Sequence, residues 1–288
     1  MRSFDISGSQ ERVEREVTLP MRPENTHMMP EQENQSSRLS IVVPVFNEQA
    51  TLATVVHKLI DVVPHLFEVV VVDDCSTDQT SEIAAELAER YSQVRVVSHD
   101  HNLGKTAALR TGFALTTGDM VIVQDADLEY DPSEIYEIIR PILNGHADVV
   151  YGSRFLVKRA ARVLYFYHYV GNKALTLISN LMTNLNMTDI ETGYKAFKGD
   201  IIRNMIIRSS GFGFEIEVTA KVAKLGCPIY EVPISYYGRT YEEGKKITTK
   251  DGIAALWFLL RFNLFCGLRA SFREIPKRDL PAAGRSIG

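Results

Sequence analysis

The sequence predicts an α/β protein with a mainly parallel central sheet flanked by helices. Three observations predict it. From Ser40 to about residue 155, short β-rich runs alternate with helical patterns, the order that builds a parallel sheet through crossover helices. The β-rich runs are continuously apolar, as strands covered on both faces must be. Polar residues gather where these runs end, which is where open α/β sheets bind ligands.

Taken in order, "SIVVPV" is the first strand and "ATLATVVHKLIDV" has helical spacing. "EVVVV" is the second strand, followed by "DQTSEIAAELAERY", an amphipathic helix with Glu82, Glu86 and Glu89 outward. "VRVVSH" leads into the helical "KTAALRTGFALTTG", then "MVIVQ" into "SEIYEIIRPILNG", and "ADVVYGSR" closes the series. Asn47 and Glu48 follow the first strand, Asp73 and Asp74 the second, His99 the third, and Asp125 and Asp127 the fourth. One acidic strand end carries little information, because Asp is a good helix N-cap and Asp78 reads that way. Acids at successive strand ends favour a site.

The chain of 288 residues has room for one large domain, and 45% apolar with 24% charged residues is ordinary globular composition. A net charge of −4 gives no nucleic-acid signal. Cys75, Cys227 and Cys266 are widely spaced and form no CxxC pair, so neither a zinc site nor a disulfide framework is expected, and a reduced, cytoplasmic setting is. Residues 1–38 read as a disordered polar tail without a secretory signal, residues 39–268 as the folded domain and 269–288 as a polar C-terminal tail. The apolar window Ile253 to Leu268 is shorter than a membrane span and is broken by Arg261 and Asn263.

The stretch "MVIVQDADLEYDP" concentrates the chemistry. Alternation in an extended segment would put Asp125, Asp127 and Glu129 on similar sides, able to share one hard cation. With no His or Cys beside them, Mg2+ or Mn2+ is the cation expected. An EF-hand fails because Tyr130 and Tyr136 stand where Gly and Glu are needed. "GKT" at Gly104 lacks the earlier glycine of a phosphate loop, where His99 stands, and no GxGxxG, HExxH or GxSxG is present. A phosphatase with an aspartyl-phosphate usually carries its DxD after the first strand, not the fourth.

"IVVPVFNE", "VVVVDDCSTDQT", "NLGKTAALRTG" and "QDADLEYDP" together resemble, in order and spacing, family 2 glycosyltransferases of the glycosyltransferase-A fold. "YGSRF", "DIETGYKAF", "GFGFEIEVTAKVAKLG" and "VPISYYGRTYEEGKKI" are similar to the polyprenyl-phosphate sugar synthases, the dolichol-phosphate mannose synthase group. The resemblance spans roughly residues 39 to 260. It implies that Pro44, Phe46, Glu48 and Asp74 meet the base and ribose of a nucleotide-sugar donor. It also implies that Asp125, Ala126 and Asp127 meet the ribose and diphosphate, with Asp127 and Glu129 on the metal, and that Arg154, Arg239 and Lys245 grip the diphosphate or the acceptor phosphate. Phe46 departs from a usual Tyr, Cys75 from a frequent Gly and Glu129 from a frequent Gln, which leaves GDP- and UDP-linked donors both open.

A divalent cation with Arg and Lys would neutralise the departing diphosphate. A polyprenyl-phosphate acceptor is already ionised and needs no general base, whereas a hydroxyl acceptor does. Asp189 is the acid nominated as such a base or, alternatively, as an organiser of the site; Glu215 and Glu217 read as helix N-terminal acids. Between Gly152 and Thr188 there is no Asp or Glu, while Arg154, Lys158, Arg159, Arg162 and Lys173 adjoin Tyr165, Phe166, Tyr167 and Tyr169. This pattern suits an interfacial helix on anionic lipid, with the helix around Trp257 a second contact or simply the closing helix. The expectation is a peripheral enzyme on the cytoplasmic membrane face, alone or with a membrane-protein partner. The alternatives are a transferase with a polysaccharide, protein or lipid-hydroxyl acceptor, and a non-catalytic nucleotide-sugar binding protein.

Overall fold

The computed structural model describes residues 37–156, 165–211, 213–238 and 249–276, all within the unit Glu33–Gly288. Arg239, Lys245, Lys158, Arg159 and Arg162, each given a role above, lie outside the described residues. The first half follows the expected alternation: β1 (Leu39–Val45), α1 (Leu52–Val62), β2 (Leu66–Asp73), α2 (Thr80–Arg90), β3 (Val94–Ser98), α3 (Lys105–Leu115), β4 (Met120–Val123), α4 (Ile135–Leu143) and β5 (Val149–Ser153). The second half adds α5 (Phe166–Thr183), β6 (Lys195–Lys198), α6 (Gly199–Asn204), α7 (Phe214–Leu225), β7 (Ile229–Pro233), α8 (Thr249–Leu264) and α9 (Leu268–Ser271).

The strands form one seven-stranded sheet in the order β3-β2-β1-β4-β6-β5-β7. Every pairing is parallel except those of β6, which runs antiparallel between β4 and β5. The central strands are buried at most positions, β4 at all of them, which accounts for their unbroken apolar reading. Helices cover both faces through regular stripes: Leu52, Val55, Val56 and Leu59 of α1 with Ile135, Ile138, Ile139 and Ile142 of α4 pack on one face, and Leu109 and Phe113 of α3 with Phe214, Val218, Val222 and Leu225 of α7 on the other. Each such side chain contributes about 1.5–3 kcal/mol by leaving water.

Local sequence explains the boundaries. Gly104 takes φ 85 immediately before α3, and Gly226 takes φ 65 to end α7. Asp131 accepts the Ser133 amide with Pro132 at the first turn position, starting the segment that becomes α4. Asp78 accepts the Thr80 amide at the head of α2. The expected boundary at residue 268 falls short of the packed unit: Phe272 is buried and bridges Met205, and Arg273 donates its amide to Asn204.

Helix α8 has two faces. Ala255, Leu259 and Phe262 are buried, and the helix packs against α5 and α7. Its other side exposes Leu256, Trp257, Leu260 and Leu264, and α5 exposes Phe166, Tyr167, Leu177 and Leu181. No helix among the described residues is long and apolar enough to cross a membrane.

Candidate active site

At the carboxyl edge of the sheet lies a cavity of about 450 Å³. It is lined by Pro44, Phe46 and Glu48 after β1, Asp74 after β2, Asp125, Ala126, Asp127 and Glu129 after β4, and Arg154 after β5. The expected site residues among those described therefore converge on one cavity, except Asp189, which stands behind Arg154.

Asp74 is held by the loop ahead of α3. Its Oδ1 accepts the Leu103 amide at 2.9 Å and its Oδ2 the Gly104 amide at 2.7 Å, while His99 Nδ1 lies 2.7 Å from Oδ1. His99 in turn reaches the Thr111 hydroxyl at 2.9 Å, so strand ends two and three are tied to α3. Cys75 has φ 62, a left-handed conformation that explains why glycine suits this position.

The acidic turn differs from the expected geometry. Strand β4 stops at Val123 and the chain turns, with Leu128 at φ 60, so alternation along an extended strand does not apply. Asp125 faces Lys105, whose Nζ lies 2.8 Å from Oδ1 and 2.9 Å from Oδ2. Asp127 Oδ1 accepts the Glu129 amide at 3.1 Å, and Glu129 Oε2 accepts the Tyr236 hydroxyl at 2.9 Å. Among the described residues no three His, Cys, Asp or Glu side chains stand together as a ready metal cage, so a cation shared by Asp125, Asp127 and Glu129 would also need oxygens from a ligand. The donor set remains hard oxygen. One or two carboxylates with substrate phosphates is the usual way Mg2+ is held, and Asp125 and Asp127 fit that arrangement.

Lys105 answers how these acids tolerate one another. Burial opposes its charge, but Asp125, with Glu215 Oε1 at 3.7 Å, overrides this and holds the ammonium well above its ordinary pKa. Lys105 was missed because "GKT" was weighed only as a phosphate loop; its place at the first turn of α3, beside a strand end, was the usable signal.

Asp189 does not have the environment of a base. It is fully buried and accepts Arg154 Nε at 2.7 Å and Nη2 at 2.8 Å in a forked pair, and the Arg154 amide at 3.2 Å. Burial pushes its pKa up, yet the Arg154 guanidinium prevails and keeps the carboxyl below the ordinary carboxylate range. Its contacts fit the alternative role, an organiser of the site: it holds Arg154, whose guanidinium also lies 5.2 Å from the Tyr236 ring centre. Glu217, read as a helix-end acid, is in the first turn of α7, accepts the Arg208 and Ser209 amides and pairs with Lys221 away from the cavity.

Gly193 lets the two halves of the site approach. Its amide donates to the Tyr130 hydroxyl at 2.9 Å, and Tyr130 stacks on Tyr194 with ring centres 4.7 Å apart. A Cβ at Gly193 would come within 2.6 Å of Asp125 Oδ2 and 3.0 Å of the Tyr130 ring. Gly193→Ala should cost about 1–3 kcal/mol in chemical unfolding, the usual range for overpacking. It should also lower turnover more than tenfold through displacement of Asp125, whereas unchanged turnover would show that the Asp125 position is not critical.

The sheet edge thus carries one cavity in which carboxylates from three strand ends face a lysine and a largely buried arginine. Comparison with known proteins carries this further: the chain belongs to glycosyl transferase family 2, whose model matches residues 40–205. It is 31% identical over 243 residues to the undecaprenyl-phosphate mannosyltransferase of Micrococcus luteus, covering 79% of this chain and 99% of that one. It is 29% identical over 213 residues to the dolichol-phosphate mannosyltransferase of Pyrococcus furiosus, covering 72% of this chain and 59% of that protein. The fold is shared with glucosyl-3-phosphoglycerate synthase from Mycobacterium tuberculosis, solved with Mn2+, UDP and glucosyl-3-phosphoglycerate, at a TM-score of 0.64 and 23% identity, over 84% and 86% of the two chains.

Proposed function

We propose that the protein is an inverting, metal-dependent glycosyltransferase that moves a hexose from a GDP- or UDP-linked donor to a polyprenyl phosphate. The observation that carries this reading is the single cavity joining Pro44, Glu48 and Asp74 to Asp125, Asp127 and Arg154. The names of the two mannosyltransferase relatives support the lipid-phosphate acceptor. Mg2+ or Mn2+, held by Asp125 and Asp127, would supply neutralisation of the departing diphosphate. Arg154, steadied by Asp189, adds fixed positive charge on the far side of the cavity. With Asp189 committed to Arg154, a self-ionised phosphate nucleophile suits this site.

Incubation with Mg2+ or Mn2+, undecaprenyl phosphate and a panel of GDP- and UDP-sugars, followed by lipid extraction, tests the reading. Transfer to lipid supports it. Transfer only to hydroxyl acceptors, or binding without turnover, replaces it with one of the alternatives.

The exposed apolar sides of α5 and α8 support docking on a membrane surface. Two of the basic residues first assigned to that surface have internal duties: Arg154 pairs with Asp189, and Lys173 donates to the Thr188 carbonyl at 3.1 Å. Apolar contact is therefore the larger contribution among the described residues. Replacing Phe166 and Tyr167 by serine should weaken binding to phosphatidylglycerol liposomes about tenfold or more in sedimentation. Unchanged binding would remove this face from the membrane contact.

A further inference from the structure

The segment Thr188–Gly193 is tied down at almost every polar group. Glu231 accepts the Thr188 amide at 2.9 Å and the Asp189 amide at 3.1 Å. Lys195, fully buried, donates from Nζ to the Ile190 carbonyl at 3.0 Å and to the Thr192 carbonyl, clamping the backbone on both sides of Glu191. The Gly193 amide is taken by Tyr130. Within this braced segment Glu191 lines the cavity, and its Oε1 is buried without a hydrogen-bond partner. A buried orphan oxygen costs about 1–3 kcal/mol, so its retention calls for a ligand group to satisfy it.

Sheet topology says which part of a ligand that is. Along the carboxyl edge, neighbouring strands run β2, β1, β4, β6. Asp74 and Glu48 lie over β2 and β1, and Asp125 and Asp127 lie past β4. Strand β6 is antiparallel, so the segment entering it, which carries Glu191, reaches the same edge one strand further on. If the nucleotide lies over β2 and β1 and the diphosphate at β4, the next group in line is the transferred sugar.

We propose that Glu191 binds a hydroxyl of the donor's hexose and so takes part in selecting the sugar; this rests on the nucleotide-sugar reading above. A hydroxyl suits the place better than the acceptor phosphate, because the unpartnered Oε1 can be satisfied by a donor, which a hydroxyl supplies and an ionised phosphate does not. Burial, with Glu215 adding repulsion, pushes the Glu191 carboxyl up to about 7, so near neutrality it can donate to a hydroxyl or accept from one.

Calorimetry with Mn2+ on wild type, Glu191→Ala and the isosteric Glu191→Gln tests this, titrating GDP or UDP alone and then the matching nucleotide-sugar. We expect the alanine variant to bind the nucleoside diphosphate as the parent does and the nucleotide-sugar about 10- to 100-fold more weakly, with glutamine restoring most of the loss. A series of deoxy-sugar donors should contain one whose missing hydroxyl weakens binding to the parent but not to the alanine variant. Equal loss for both ligands, no loss for the sugar, or a fall in kcat with donor affinity unchanged would each overturn the assignment. If the parent binds neither diphosphate nor nucleotide-sugar, the functional reading fails and takes this one with it. Diphosphate binding that Glu191→Gln and Glu191→Ala leave sugar-indifferent fails the Glu191 assignment alone.

Discussion

Asp127→Ala is expected to lower sugar transfer by about three orders of magnitude or more while leaving the protein folded. The carboxylate lies at the cavity wall past β4, where a divalent cation and the leaving diphosphate would meet. Charge neutralisation of that kind is worth several kcal/mol, and each 1.36 kcal/mol is tenfold in rate. In the half-buried turn its Oδ1 accepts the Glu129 amide, a bond worth about 1 kcal/mol. Thermal unfolding should therefore move by only a few degrees. Calorimetry should show Mn2+-dependent donor binding lost, and EDTA should have no further effect on the variant. Retained turnover, or unchanged metal dependence, would sever the acidic turn from the chemistry.

Asp189→Asn is expected to be mainly a stability defect, which separates an orienting residue from a base. The Asp189 carboxylate and Arg154 guanidinium form a buried fork, and removing one charge of such a pair costs about 3 kcal/mol or more because the other is left uncompensated. Its folded pKa is depressed below the ordinary 3.8 by Arg154, despite burial acting the other way. A depressed carboxyl contributes stability that is present above the unfolded pKa and lost as pH falls through the folded one. Urea unfolding should show the full difference between parent and variant at neutral pH, shrinking as the solution is acidified below about pH 4. Transfer should fall as Arg154 loses its alignment, with the pH dependence of the remaining activity unchanged in shape. A variant as stable as the parent but inert, with the acidic limb of its pH profile removed, would return Asp189 to the role of base.

Much of the site was readable because its residues follow strands whose burial is written as apolar runs. Asp74 and Asp125 could be placed on one edge from the order of elements alone, since parallel strands present all their carboxyl ends together. The grouping of the acids was not readable. Leu128 in a left-handed conformation turns the backbone between Asp127 and Glu129, and one such residue defeats an alternation rule. Lys105 and Glu191 escaped for a related reason. Each is one ordinary polar residue in its local stretch, and only the packing of α3 and of the turn before β6 brings them to the cavity. Strand β6 was hidden too: in "KAFK" a lysine reads as surface, yet Lys195 is buried because carbonyls of the preceding turn receive its ammonium.

By itself the sequence determined an α/β sheet, its first five strands, the edge that bears the chemistry and the membership in a glycosyltransferase family. All of these depend on periodicity or on contiguous motifs, which local sequence records. Tertiary structure alone decided that Asp125 is countered by Lys105, that Asp189 belongs to Arg154, and that a buried carboxyl oxygen at Glu191 faces the cavity. Those are pairings across long stretches of chain, and their electrostatics depend on distance and burial, quantities that come into being only when the strands are set side by side.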